Sequence, residues 1–122
     1  MEFTYAYLIT NNPDNWLNLI RKYTNTLGLV PLVKSGYPNI DASTIISSEF
    51  VLIYNNEDND FLGERKKEIQ LALSSNKIIL SLKPIEGLDT KVIPEQELEE
   101  ALRDRVTSIN FNETYKDTNF LD

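Results

Sequence analysis

Residues 49–54, Glu49-Phe50-Val51-Leu52-Ile53-Tyr54, and residues 77–82, Lys77-Ile78-Ile79-Leu80-Ser81-Leu82, decide the fold. Each is a short run of β-favouring residues with almost no polar alternation. That pattern suits strands covered on both faces. Between them lie a polar loop, Asn55-Asn56-Glu57-Asp58-Asn59-Asp60, and a helical stretch from about Phe61 to Ser75. Asp60 reads as its N-cap, and Leu62, Ile69, Ala72 and Leu73 supply its buried side. Two buried strands joined by a helix make a βαβ unit, and hence a parallel sheet.

The same alternation extends towards the N-terminus. Phe3 to Thr10 is an apolar, aromatic-rich strand. Asn12 before Pro13 reads as an N-cap followed by proline at the first helical position. Trp16, Ile20, Tyr23 and Leu27, with Leu19 beside them, then form one helical stripe. Gly28 suits the C-cap. Leu29 to Val33 reads as a second strand, and Pro31 places it at an edge or near its own start. Lys34 to Asn39 is a loop, after which Asp41 or Ser43 caps a short helical segment through Ile45 and Ile46.

On the C-terminal side, Pro84 to Thr90 is a loop and a helix begins near Pro94. Leu98, Ala101, Leu102 and Val106 fall at helical spacing. Glu95, Glu97, Glu99 and Glu100 crowd its start and Arg103 and Arg105 its end, as the helix dipole favours. Thr107 to Phe111 reads as a last strand. One α/β domain over 1–111 and a polar tail over 112–122 follow.

Right-handed crossovers restrict such a chain to a small, doubly wound, flavodoxin-like domain. The expected sheet is mostly parallel and five-stranded, in the order 2-1-3-4-5, with helices on both faces. Ligands in such sheets bind at the strands' carboxyl ends, where the winding reverses. Here that is the crevice between the first and third strands. Thr10, Asn11 and Asn12 would line one side and Tyr54, Asn55 and Asn56 the other, with Ser35, Gly36 and Tyr37 nearby.

Composition narrows the function. The 122 residues carry 12 Lys and Arg against 19 Asp and Glu, a net charge of −7, which disfavours a nucleic-acid partner. The apolar runs fall far short of the roughly 20 residues that span a bilayer, so no membrane partner is expected. The first residues show no basic region or small-residue cleavage site, which points to a cytoplasmic location. There is no Cys and no His. Thiolate and imidazole chemistry are therefore excluded, and neither a metal nor a cofactor is expected. The four glycines, at 28, 36, 63 and 87, form neither classical phosphate-binding loop.

One segment carries a resemblance. Asp41, the strand through Tyr54, the acidic loop, Gly63, Glu68-Ile69, Ala72 and Lys77-Ile78-Ile79 resemble the second half of the nucleoside 2-deoxyribosyltransferase-like fold. The stretch is also similar to TIR-type domains, and it covers about a third of the chain. The resemblance implies a helix-borne glutamate, Glu68, acting on a bond between ribose and a base. Asp41 is the counterpart of a substrate-orienting acid. Neither family needs His, Cys or metal for this chemistry. Families of this layout often complete their sites across a dimer, so a homodimer is compatible with the sequence.

Glu68 can also be read without any family. On a helix it stands about 100° from Ile69, at the edge of the buried face, with Glu64 one turn earlier. One reading is a carboxylate prepared for acid–base work by burial and a like charge. The other is a solvated flank neutralised by Arg65, Lys66 and Lys67. Among the remaining candidates, Glu57 to Asp60 reads as a solvated loop and cap. Glu95 to Glu100 could also present an acidic face to a basic partner.

Two functions follow. The first is a nucleotide- or nucleoside-directed domain that cleaves an N-glycosidic bond with Glu68. Asp41 and Asn55 would orient the sugar, Thr10 and Asn11 would line the site, and Tyr37 or Tyr54 would contact the base. The second is a non-catalytic interaction or regulatory protein of immunity, anti-defence or adaptor type on the same scaffold. A concave pocket joining Thr10, Tyr54 and Glu68 discriminates between them.

Overall fold

A computed structural model describes residues 3–32 and 42–107. Five strands form one sheet, all parallel: β1 (Thr4–Ile9), β2 (Leu29–Leu32), β3 (Phe50–Ile53), β4 (Ile78–Ser81) and β5 (Lys91–Val92). The order is β2-β1-β3-β4-β5. The helices are α1 (Pro13–Leu27), α2 (Ala42–Ser47), α3 (Lys66–Ser74) and α4, over 98–107. The expected doubly wound architecture and strand order are present.

The register divides the side chains between two faces. Ala6 pairs with Phe50, and Phe50 with Ile78; Tyr7 pairs with Val51, and Val51 with Ile79. Because strands alternate, Ala6, Leu8, Phe50, Leu52 and Leu80 point one way. They meet Leu19 and Tyr23 of α1 and Leu98, Leu102 and Val106 of α4. Tyr7, Ile9, Val51, Ile53 and Ile79 point the other way, onto Ile45 of α2 and Ile69 and Ala72 of α3. Two apolar layers therefore sandwich the sheet, which explains the unbroken strand patterns.

Local signals set the limits of α1. The Asn12 side chain accepts from the Asp14 N–H at 2.9 Å, and Pro13 follows it. At the other end Gly28 takes a left-handed conformation, φ 69°, which L side chains rarely adopt, and its N–H returns to the last turn.

Three expectations need correction. The helix predicted from Phe61 is interrupted: residues Asp60–Gly63 form a 3-10 turn, and α3 begins at Lys66. Asp60 lies inside that turn, so it caps nothing. The break places Arg65 in a non-helical conformation immediately before α3. The fifth strand is also not the predicted one. It is Lys91–Val92, beyond the loop that begins at Pro84, and Thr107 belongs to α4. Two residues carry too little periodicity to be seen in a sequence. The near-Pro94 helix opens as a 3-10 turn, Glu95–Glu97, and becomes α-helical at Leu98. The possible strand residues 108–111, the tail at 112–122, Val33, Tyr37 and Asp41 lie outside the described residues.

Candidate functional site

The carboxyl ends of β1 and β3 lead into Thr10 and Asn11, and into Tyr54 and Asn55, four of the residues that the sequence singled out. Glu68 is in the first turn of α3, whose dipole favours an anion there. It is only 2% exposed, so it is neither a solvated flank nor open to water. Arg65, three residues earlier, forks onto it. Its Nε donates to Oε1 at 2.6 Å and its Nη2 donates to Oε2 at 2.8 Å. The Tyr7 hydroxyl donates to Oε2 from the middle of β1. The third guanidinium nitrogen, Nη1, donates to the Thr10 carbonyl at 3.0 Å.

Four residues from two segments of the chain, 7–10 and 65–68, thus form one closed network. Glu64, the like charge one turn before Glu68, is exposed and takes no part. Of the three adjacent cations only Arg65 turns inward. Glu68 occupies the position at which a helix glutamate usually reaches back to the backbone of the N-cap residue. Here it grips that residue's guanidinium instead.

The electrostatics are those of a satisfied buried pair. Burial alone would lower the Arg65 pKa, but its bonds to Glu68 more than reverse this and the net shift is upward. Burial pushes the Tyr7 hydroxyl well above the usual tyrosine value. Its bond to the Glu68 carboxylate pushes it further, because a phenolate there would face a carboxylate.

The other predicted residues separate. Thr10 is half-buried; its Oγ1 accepts from the Asn12 N–H at 3.3 Å and from Asn15 Nδ2 at 3.0 Å. Asn11 is exposed beside it. Asn55, 1% exposed, spends its amide on the scaffold. Its Oδ1 accepts from the backbone N–H groups of Leu82 (2.9 Å) and Lys83 (3.2 Å). Its Nδ2 donates to Asn59 Oδ1 at 2.7 Å and to the Lys83 carbonyl at 3.2 Å. Asn55 therefore ties the end of β3 to the end of β4.

Tyr54 lies on the other face of the sheet from Glu68. It packs against the α1/α4 layer, and its hydroxyl donates to Glu95 Oε1 at 2.7 Å. Burial and that bond both raise its pKa. The structure joins Thr10 to Glu68 through Arg65 and leaves Tyr54 apart from them. Three grooves, of about 340, 310 and 240 Å³, have linings that include none of Thr10, Tyr54 and Glu68.

Sequence reasoning named Arg65 only as one of three cations neutralising a solvated flank, not as the buried partner of Glu68, and it missed Tyr7. The three-residue spacing of Arg65 and Glu68 was a legible signal, because residues so spaced are neighbours on a helical turn. For Tyr7, 61 positions away, there was none.

No family model, curated protein or solved structure matches this chain. Among the described residues no helix is long and apolar enough to cross a membrane.

Proposed function

We propose that this chain is a non-catalytic interaction domain on a doubly wound α/β scaffold, and that Glu68 ties α3 to the sheet. The observation that carries this reading is the closure of the Glu68 carboxylate. Both oxygens are bonded to Arg65 and one also to Tyr7, in a residue only 2% exposed. A nucleophile or ion-stabilising carboxylate must present an oxygen to a substrate carbon. Tyr54, the candidate base contact, bonds Glu95 on the opposite face. Asn55, the candidate sugar contact, is used up between two strands.

A second reading rests on the same cluster. A carboxylate paired with a guanidinium and oriented by a phenol is suited to stabilising a cationic sugar. Oε1 carries only one of the three bonds. In that reading Arg65 withdraws when a nucleoside or NAD-type substrate enters above Thr10.

One experiment separates the two. The protein is incubated with NAD, ADP-ribose, nucleosides and nucleotides, and free base release is followed alongside thermal shifts. The interaction reading expects no base release and no stabilisation. A ligand at 100 times its dissociation constant would add about 2.7 kcal/mol, which is readily seen. Turnover that Glu68→Gln removes, in a variant still folded by circular dichroism, would overturn the interaction reading.

A further inference from the structure

The groove between β5 and α4 combines an apolar floor with a row of carboxylates. Two hollows of about 310 and 240 Å³ share Lys91, Ile93, Ala101 and Asp104 and form one trough along the sheet edge. Its floor is apolar, with Ile93 and Ala101 in the trough and Val92 42% exposed beside it. Its helical wall carries Glu97, Glu100 and Asp104, at spacings of three and four, so the three carboxylates form one stripe. The ion pairs among the described residues are Lys22–Glu99, Arg65–Glu68 and Arg103–Glu99, none of which takes up these three acids. Lys91 stands on the opposite wall and Arg105 lines the hollow beside Leu80, so three acids face two cations and the trough is acidic by one charge.

Among the described residues the opposite wall is also an open strand edge, because β5 is the last strand of the sheet. The Ile93 N–H donates to the Ser81 carbonyl at 2.8 Å. By strand alternation the Val92 N–H and C=O then point away from β4, towards the open side. An unpaired edge accepts an added strand through its main-chain groups, while pockets select alternate side chains.

We propose that this trough docks an extended cationic segment of another protein, added as a sixth strand beside β5. Its Lys or Arg side chains lie on Glu97, Glu100 and Asp104, and its alternate, apolar residues rest beside Val92 on the other face of the sheet. Charge complementarity selects this occupant. Residues 108–122 of this chain hold one Lys against one Glu and two Asp, so the chain's own C-terminal stretch has the wrong sign. A second copy, at a net charge of −7, is repelled as a whole. The inference rests on the reading of the chain as an interaction domain and names the surface and the partner's chemistry.

The test uses the full chain, labelled with 15N, and a blocked synthetic hexapeptide alternating Lys with Val or Thr. A matched peptide has Glu in place of Lys. The expected result is amide shifts confined to Lys91–Ile93 and to α4 around Glu97, Glu100 and Asp104, with the cationic peptide alone. Glu100→Lys/Asp104→Lys, at two exposed positions, should weaken binding at least ten-fold. Val92→Pro, which removes the outward N–H, should also weaken it. Shifts absent from β5, or unchanged by the charge reversals, overturn the proposal. So do contacts between residues 108–122 and Val92 in the free protein, which would make the chain's own terminus the occupant. Base release from nucleosides would instead overturn the interaction reading, so the two failures are distinct.

Discussion

Arg65 closes both carboxylate oxygens of Glu68, with Nε on Oε1 at 2.6 Å and Nη2 on Oε2 at 2.8 Å. The pair is one turn of chain long and almost wholly buried, with side chains 16% and 3% exposed. Removing one partner strands the other charge in a poor solvent, whereas replacing both with apolar groups of similar size is often neutral. Arg65→Met is therefore expected to cost about 3–5 kcal/mol. Arg65→Met/Glu68→Met, with Tyr7→Phe to remove the last unpaired hydroxyl, should recover most of that loss. Urea unfolding of the single and combined variants measures this, and a triple variant no more stable than Arg65→Met would count against the tie.

Tyr7→Phe alone deletes one hydrogen bond to a charged acceptor. The expected loss is about 1.5–3 kcal/mol, with Arg65 still holding both oxygens. Thermal denaturation at neutral pH tests it. A loss under half a kcal/mol would show that the hydroxyl contributes little.

The alkaline limb of stability should report the buried tyrosines. Tyr7, Tyr23 and Tyr54 all have raised pKa values, through burial first. A raised folded-state pKa stabilises the protein fully below the unfolded value, near 10, and that contribution is lost as pH rises through the folded value. Stability should therefore fall above about pH 10. In a titration followed by tyrosinate absorbance, these three of the six tyrosines should ionise late or only on unfolding. Tyr7→Phe should make the alkaline decline shallower. An unchanged slope would argue against the shift.

Asn55→Ala leaves the Leu82 and Lys83 N–H groups without their acceptor at the end of β4. Unsatisfied buried polar groups cost about 1–3 kcal/mol each. A total loss of about 3 kcal/mol is expected, with faster amide exchange at Leu82 and Lys83. Exchange as slow as in the parent would mean that other groups satisfy these amides.

Asn12→Ala tests the start of α1. Loss of the bond to the Asp14 N–H should cost about 1 kcal/mol, and Asn12→Ser should restore most of it. Equal melting temperatures for all three proteins would remove the capping argument.

The sequence by itself determined what is local and periodic. The unbroken runs at Phe50–Ile53 and Ile78–Ser81 required a sheet covered on both faces, and the intervening helix required it to be parallel. Asn12-Pro13 and Gly28 marked the ends of α1, because caps depend on residues a few positions apart. Glu68 stood out as a carboxylate at the edge of a buried helix face. Tertiary structure alone decided what that carboxylate does. Tyr7 reaches it across 61 residues, and the Arg65 fork joins it to the Thr10 carbonyl 55 residues away. Strand pairing also sent Tyr54 to the opposite face and turned Lys91–Val92 into the fifth strand. Such relations depend on register and on the direction of each side chain out of the sheet. Both are fixed only when the two apolar layers close on it.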